Sequence, residues 1–223
     1  MDASRRLVIV SLLGMGAGLA GCAEETPPAT LASEAQGVVD GAVTAVQTMK
    51  ASTGFAASGL LGRARGVVIV PRALKVAFIA GGSGGRAVLV GRTPKGWSDP
   101  AFYTVGSGSL GPQIGVREST IVVLLMTERA LDAFLRQSNV TLGADASLTA
   151  GQFSASSAAA IGGQDAVIWT DAQGLFIGGS VAGQGFNQDT DYNRAYYGRS
   201  VPAIDVLANL VHNPAAAPLR AVL

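Results

Sequence analysis

Eight basic residues lie in a stretch of this chain that contains no acidic residue. The stretch runs from Gly41 to Ser98 and carries a formal charge of +8, whereas the whole chain of 223 residues carries +1. Its basic residues are Lys50, Arg63, Arg65, Arg72, Lys75, Arg86, Arg92 and Lys95. Guanidinium and ammonium groups bind phosphates and carboxylates. The stretch therefore predicts a surface for a polyanion, unless folding distributes these side chains over several solvated loop ends.

A serine flanked by glycines suggests a second chemistry, nucleophilic hydrolysis. Gly81-Gly82-Ser83-Gly84-Gly85 matches the G-x-S-x-G pattern, and Asp171 and His212 follow in the chain order of α/β-hydrolases. That pattern requires a strand before the serine and a helix after it. Here Arg86 to Gly91 read as a strand, so the glycine segment is predicted to be a hairpin turn and the Ser83 hydrolase is the least favoured hypothesis.

The sequence does not indicate a metal site or a nucleotide-binding site. Cys22 and His212 are the only cysteine and histidine, which excludes His-rich and Cys-based metal sites and internal disulfides. The acidic residues show no metal-ligand spacing. No Gly-Lys-Ser/Thr follows the glycine run, so a phosphate-binding nucleotide loop is also excluded. We expect no cofactor.

The N-terminus has the pattern of a secretory leader. Arg5 and Arg6 precede an apolar run from Leu7 to Ala20, too short for the roughly 20 residues that span a bilayer. Leu19-Ala20-Gly21-Cys22 resembles the bacterial lipobox, which implies cleavage before Cys22 and acylation of its thiol and amine. An ordinary signal peptide that happens to contain Cys22 is the alternative. Residues 1–21 are predicted to be a lipoprotein signal peptide and residues 22–32 a lipidated tether.

This leader decides between the polyanions that the basic stretch could bind. Removing residues 1–21 leaves 14 basic and 14 acidic residues, so net charge implies no partner. A secreted, lipid-anchored chain rarely meets nucleic acid, and few aromatic residues are interleaved with the basic ones for base stacking. Anionic phospholipid headgroups are therefore the expected partner, together with the membrane that holds the acyl chains.

Hydrophobic periodicity predicts an α+β domain with a largely antiparallel sheet, sandwich-like or barrel-like. An amphipathic helix is predicted over residues 34–50 with a capping box at Ser33 and Gln36, and a second helix over 55–65. Thr127 is predicted to cap another helix, and a last helix is expected over 201–211 before a Pro/Ala tail. The predicted strands cover residues 67–70, 76–80, 87–90, 102–105, 121–126, 140–150, 166–170 and 175–181. The tyrosines Tyr192, Tyr196 and Tyr197 are expected to pack half-buried with their hydroxyls at the rim, rather than to form a carbohydrate- or lipid-facing cluster.

Several segments in order resemble one family. Leu60 to Pro71, Lys75 to Gly82, Gly96 to Pro100, Gly111 to Gly115 and Gly174 to Gly179 are similar to the SYLF domain, also called the Ysc84 actin-binding domain. The resemblance runs from about residue 33 to residue 198. It assigns 33–200 to a lipid-binding domain and leaves 201–223 as a C-terminal helix and tail.

The resemblance implies binding of anionic phospholipids, phosphoinositides in eukaryotic members, without catalysis. It places this binding on the N-terminal amphipathic helix and on the basic residues that match here, Arg63, Arg65, Arg72 and Lys75. We add Arg86, Arg92 and Lys95 from the same acid-free stretch. Actin binding belongs to some eukaryotic members and is not expected of a bacterial lipoprotein.

The predicted location is the periplasmic side of a Gram-negative envelope. Ala23 follows the acylated cysteine in place of an inner-membrane retention aspartate, so the outer membrane is favoured. A second hypothesis, from another class, is an envelope interaction protein in which lipid only tethers the domain and the partner is an unknown protein.

Overall fold

Apolar, β-branched runs form the centre of a curled sheet in the computed structural model of this chain. The structure describes residues 27–52, 54–77, 80–110, 115–137, 139–141, 150–152, 164–171 and 185–223. The strands within these ranges are β1 (Gly66–Ala77), β2 (Ala80–Thr93), β3 (Gly96–Trp97), β4 (Ala101–Leu110), β5 (Gly115–Leu125), β6 (Asn139–Thr141), β7 (Ala150–Gln152), β8 (Ala166–Thr170) and β9 (Gly185–Gln188).

Eight of these strands lie in the order β6-β9-β4-β2-β1-β5-β8-β7, and β3 pairs with β2. Every pairing is antiparallel except that of β7 with β8. The predicted α+β class with a largely antiparallel sheet is confirmed.

Helices flank the sheet. They are α1 (Pro28–Ala51), α2 (Phe55–Ser58), α3 (Leu60–Arg63), α4 (Glu128–Arg136), α5 (Thr190–Tyr197), α6 (Ala203–Leu207) and α7 (Ala217–Val222), and a 3₁₀ turn over Pro214–Ala216 precedes α7. None of the helices in the described ranges is both long enough and apolar enough to cross a membrane.

Both faces of the central strands are buried, which explains their continuous apolar runs. Val68, Leu89 and Val123 pack with α4 and α6 in one hydrophobic cluster. Val67, Val88 and Val122, one residue away in each strand, pack with α1, α5 and α7 in the other. The prediction that Ile121 to Met126 forms a strand buried on both faces is confirmed for Ile121 to Leu125.

Pro71 bends β1 but does not end it. Its missing N–H interrupts the ladder, and the register shifts between Ile69 and Arg72 against β2 and between Val70 and Ala73 against β5. The prediction that a strand stops at Pro71 was wrong, because a β-bulge absorbs the proline.

The glycine-rich segments lie inside strands. Gly81 to Gly85 belongs to β2 and pairs with β1 and β4, so the hairpin turn predicted there was wrong. Gly106 to Ser109, predicted as a turn, continues β4. In both cases pairing on neighbouring strands outweighs the low strand propensity of glycine.

Three helix predictions need correction. α1 begins at Pro28, so residues 28–32 are its first turn rather than tether, Ser33 caps nothing, and Pro28 occupies a position that tolerates proline. The helix predicted over 55–65 is divided by Gly59, whose φ of 63° is left-handed. The helix predicted over 201–211 spans only α6, and α7 lies in the predicted tail. By contrast, the Thr127 cap of α4 is confirmed, since its side chain accepts a hydrogen bond from the Ala130 N–H.

Some predictions fall on residues outside the described ranges. These are the leader and Cys22, most of the strand predicted over 140–150, and the strand predicted over 175–181. The strand predicted over 166–170 is confirmed as β8.

Candidate functional site

Folding divides the predicted basic residues into two groups, one around the start of β1 and the other at and beyond the bulge in the middle of β1. Arg65 precedes the first residue of β1 and Arg72 follows the bulge, about 20 Å further on at roughly 3.3 Å per residue. β2 runs back beside β1, so Arg86 lies opposite Arg72 and Gly91 lies opposite Gly66. We call Arg72, Lys75 and Arg86 the bulge cluster. Arg63, Arg65, Arg92 and Lys95 form the helix-end group.

Arg72 is the most exposed member of the bulge cluster whose side chain the structure describes. Its Nε lies 2.9 Å from Glu118 Oε2, and its side chain is 75% exposed. The backbone of Lys75 pairs with Ser83 on one side and Arg117 on the other. The sheet therefore carries basic positions on three adjacent strands, β1, β2 and β5, beside the bulge and just beyond it.

Arg86 makes more contacts with neighbouring side chains than Arg72 does. Its Nε lies 3.2 Å from Asp189 Oδ2, and its guanidinium carbon lies 3.8 Å from the centre of the Tyr192 ring. The Tyr192 hydroxyl donates a hydrogen bond to Glu34 on α1. Burial raises the pKa of Tyr192 to about 12, and the hydrogen bond to Glu34 acts in the same direction. This chain of contacts connects α1, α5 and β2.

A groove of about 800 Å³ separates α1 from the bulge cluster. Gly37, Val38 and Gly41 of α1 form one wall. Pro71, Arg72, Arg86 and Glu118 contribute to the opposite wall. The groove thus combines small and apolar surface with two guanidinium groups, each beside a carboxylate.

Sequence reasoning missed the acidic partners of this site. Glu34, Glu118 and Asp189 lie outside the acid-free stretch, and only strand register and helix packing bring them to it. No local motif predicts these contacts, because the two residues of a contact are up to 158 positions apart, as Glu34 and Tyr192 are.

The helix-end group is partly structural. Arg92 donates hydrogen bonds to the carbonyls of Ala64 (2.9 Å) and Leu61 (2.9 Å), and its guanidinium lies 4.1 Å from the centre of the Trp97 ring. These contacts satisfy carbonyls at the end of α3. Arg92, predicted to bind headgroups, is therefore engaged inside the protein.

The other members of the helix-end group are exposed. Arg65 Nε lies 3.3 Å from Glu128 Oε1, whereas Arg63 has no ion-pair partner within the described part of the chain. Lys95 lies in the turn between β2 and β3. Lys50, outside both groups, donates to the carbonyl of Val222 (2.8 Å).

The residues proposed for hydrolysis do not assemble. Ser83 lies within β2, between β1 and β4, and no helix follows it. His212 Nδ1 lies 3.1 Å from Asp99 Oδ2, while Asp171 accepts a hydrogen bond from the Thr120 N–H. The strand-turn-helix context that a nucleophile elbow requires is absent at Ser83.

The tyrosines pack rather than form a surface cluster, but Tyr192 and Tyr196 are buried instead of half-buried, and the Tyr196 hydroxyl lies in the interior and not at the rim. Tyr192 and Tyr196 are buried against Phe102, and the Tyr197 hydroxyl donates to the carbonyl of Pro100 (2.8 Å). Among the residues that the structure describes, no three acidic, histidine or cysteine side chains are grouped to hold a metal ion.

Comparison with known proteins gives one consistent family. The family Ysc84, described as "Las17-binding protein actin regulator", matches residues 106–223. "Protein YSC84" of Saccharomyces cerevisiae is 33% identical over 171 residues, which cover 74% of this chain and 36% of that protein. "SH3 domain-containing YSC84-like protein 1" of Homo sapiens is 28% identical over 162 residues, 71% of this chain and 47% of that protein.

A further relative, "LAS seventeen-binding protein 3" of Saccharomyces cerevisiae, is 32% identical over 171 residues. The chain spans less than half the length of each of these curated relatives. One of these names describes binding to LAS seventeen and another an SH3 domain, and none of them names an enzymatic activity. The shared region and the family match show that the chain belongs to the Ysc84 (SYLF) family.

Proposed function

We propose that this protein is a non-enzymatic, lipid-anchored member of its family that binds anionic phospholipid headgroups through the bulge cluster. The observation that carries the proposal is the position of Arg72 beside Arg86, on adjacent strands next to the bulge. The family resemblance supports the same chemistry, since it places phospholipid binding on basic residues that include Arg72 and Lys75.

The ion pairs of the cluster leave these cations available. An exposed salt bridge contributes only about 0–1 kcal/mol, and the Arg72–Glu118 pair is exposed on both sides. A phosphate accepts two parallel hydrogen bonds from one guanidinium. Arg72 therefore exchanges Glu118 for a headgroup at small cost, while Arg86, beside the mostly buried Asp189, exchanges less readily.

Leu74 strengthens the assignment to a membrane. This side chain is 43% exposed and lies two residues after Arg72 in β1. Its neighbours in the ladder are Gly84 and Glu118. An exposed apolar side chain beside arginine fits the boundary between headgroups and acyl chains, where aliphatic groups insert and cations remain at the phosphates.

The first helix is not free to insert. Its apolar residues Val39, Val46 and Met49 are buried against the sheet. The resemblance implies a role for the amphipathic helix in binding, but inserting this face would require α1 to leave the core. We therefore assign the headgroup contact to the bulge cluster and not to α1.

Vesicle sedimentation tests the surface. The chain from Ala23 onward lacks the acyl chains and keeps every described residue. We expect binding that rises with anionic lipid content and weakens with salt, because exposed charges are screened beyond about 10 Å at 0.1 M salt. With roughly 1 kcal/mol per charge near an anionic membrane, the double variant Arg72→Glu/Arg86→Glu should bind at least about tenfold more weakly.

The matched control is Arg63→Glu/Arg65→Glu, which makes the same change in net charge near the start of β1, away from the bulge cluster. This variant should retain most of the binding. Equal losses in the two double variants would show that net charge alone governs binding, and unchanged binding in the Arg72→Glu/Arg86→Glu protein would refute the bulge cluster as the headgroup surface.

The membrane anchor in this proposal is Cys22. The basic start, the apolar run to Ala20 and the lipobox-like Leu19 to Cys22 support acylation there. With about 0.8 kcal/mol per buried CH₂, two or three acyl chains hold a protein on a bilayer. The proposed location is the periplasmic side of the envelope, with Ala23 favouring the outer membrane.

A protein partner is the second candidate. It is favoured by the family description, which names binding to Las17, itself a protein. A partner that co-purifies with the protein and remains bound after reversal of Arg72 and Arg86 would support this candidate instead.

A further inference from the structure

A second pocket lies away from the bulge cluster, where the C-terminal segment crosses the end of β2. Its volume is about 550 Å³. The side chains around it are chiefly polar or aromatic: Lys95, Trp97, Asp99, Asn209, His212 and Arg220. The first three come from the β2–β3 region and the last three from the final 15 residues, so only the folded chain forms this pocket.

Asp99 fixes one side of the pocket. Its carboxylate is fully buried, and Arg220 Nη1 donates to Oδ1. Oδ2 receives the Asn213 N–H at 2.5 Å and lies 3.1 Å from His212 Nδ1. Both oxygens are therefore engaged, and the one carboxylate in the pocket lining is neutralised by its partners.

Arg220 and His212 each keep hydrogen-bonding atoms that these contacts do not use. A guanidinium has five N–H donors, and Arg220 contacts Asp99 through one of its nitrogens, Nη1. His212 contacts Asp99 through Nδ1, and its side chain is 63% exposed. Its Nε2 accepts the proton of a P–OH group when the imidazole is neutral and donates to a phosphate oxygen when the imidazole is charged.

Thr93 fixes the opposite side. Its hydroxyl accepts hydrogen bonds from the Lys95 N–H (3.3 Å) and from Asn209 Nδ2 (3.2 Å), and it donates to the carbonyl of Gly96 (3.0 Å). Asn209 adopts a left-handed φ of 58°, a conformation that asparagine tolerates better than most residues. One hydroxyl thus holds both the turn that carries Lys95 and the side chain of Asn209.

We propose that this pocket binds the phosphate group of a phosphomonoester. Lys95 supplies the net positive charge, because the charge of Arg220 compensates that of Asp99 inside the protein. The remaining N–H groups of Arg220 and the side chains of Asn209 and His212 supply further hydrogen-bonding atoms. A phosphomonoester presents three acceptor oxygens, which suits donors converging from several directions. The site is independent of the bulge cluster, so either can exist without the other.

Calorimetric titration of the full chain in a neutral detergent tests this proposal, with inorganic phosphate and glycerol phosphate as probes. We expect saturable binding that Lys95→Ala and His212→Ala each weaken by about tenfold, as for loss of one charged hydrogen bond. Both side chains are exposed, so their removal should leave the fold intact. Arg136→Ala, which removes an exposed cation of α4 with only an i,i+4 partner, should bind as the unchanged protein does.

Vesicles containing phosphatidic acid distinguish a free phosphate ester from a lipid headgroup as the source of the bound phosphate group. They are tested against the Arg72→Glu/Arg86→Glu protein, with and without Lys95→Ala. An effect of Lys95→Ala in solution identifies a free phosphate ester, and an effect only on vesicles identifies a lipid headgroup. Absence of saturable binding to every probe would overturn the proposal, as would binding that neither Lys95→Ala nor His212→Ala alters.

Discussion

At the scale of single residues, partners in space decide what each charged group does. Sequence order suggested His212 as a base paired with Asp171, but His212 contacts Asp99, which lies 113 positions before it. Arg92 was grouped with headgroup-binding residues, yet it binds the carbonyls of Leu61 and Ala64. Residue type correctly indicated what these groups can bind, whereas the fold selected the partner.

Because of its four tyrosines, the free energy of unfolding of this protein depends on pH in the alkaline range. Burial raises the pKa of Tyr192 and of Tyr196 to about 12, and raises the pKa of Tyr103 and Tyr197 further. In the unfolded chain these phenols ionise near 10. Their contribution to the free energy of unfolding is thus complete below pH 10 and is lost as the pH rises through 12.

Absorbance of phenolate at 295 nm and circular dichroism, followed together from pH 8 upward, check this dependence. Ionisation should appear only above about pH 11 and together with unfolding. Tyr192→Phe removes one of the titrating groups and should reduce the loss of stability between pH 10 and 12. Substantial phenolate at pH 10 in protein with a native spectrum would contradict the prediction.

At the scale of elements, the bulge at Pro71 explains a glycine that the sequence suggested was part of a turn. A Cβ on Gly85 would lie 2.6 Å from the backbone oxygen of Arg72, closer than atoms can approach. A Cβ on the neighbouring Gly84 would lie 3.6 Å from the Val105 oxygen, an ordinary contact. Gly85 therefore permits the close approach of β2 to the bulge that places Arg86 beside Arg72.

This difference gives a matched pair of variants. Gly85→Ala should lower the free energy of unfolding by about 2 kcal/mol, the usual cost of overpacking, and should weaken vesicle binding because the bulge cluster shifts. Gly84→Ala should be neutral, or should stabilise by up to about 1 kcal/mol because it restricts the unfolded chain. Urea unfolding measures both, and similar losses in the two variants would contradict the role assigned to Gly85.

At the scale of the whole molecule, one sheet covered by helices on both faces buries the apolar residues of the core. The described helices do not provide a membrane span, and the first helix contributes its apolar face to the core. In our proposal the acylated Cys22 anchors the protein in the membrane, and the bulge cluster contacts the headgroups.

Labelling with radioactive palmitate in a Gram-negative host tests the anchor. The unchanged chain should incorporate label and fractionate with the outer membrane, whereas Cys22→Ala should incorporate none. Ala23→Asp should remain labelled but shift towards the inner membrane, which separates sorting from acylation. Label retained by Cys22→Ala would show that the acylated residue lies elsewhere.

Local patterns were sufficient for several features of this protein. The buried run of β5, the strand β8 and the Thr127 cap follow from residue type and spacing, because they depend on near neighbours. The family followed from ordered motifs, and the comparisons confirm it. Composition and the acid-free stretch indicated the chemistry of a polyanion surface before any fold was known.

Tertiary structure alone decided where the basic residues of that stretch lie. Strand register placed Arg72 beside Arg86, because antiparallel pairing joins residues far apart in sequence. Arg65, at the start of β1, lies about 20 Å from Arg72 along the strand. Pairing with β1 and β4 made Gly81 to Gly85 part of a strand. Packing of the C-terminal segment brought Arg220 and His212 to the buried Asp99. A single sequence specifies such contacts only through the folded chain, since neither periodicity nor spacing encodes which distant residues meet.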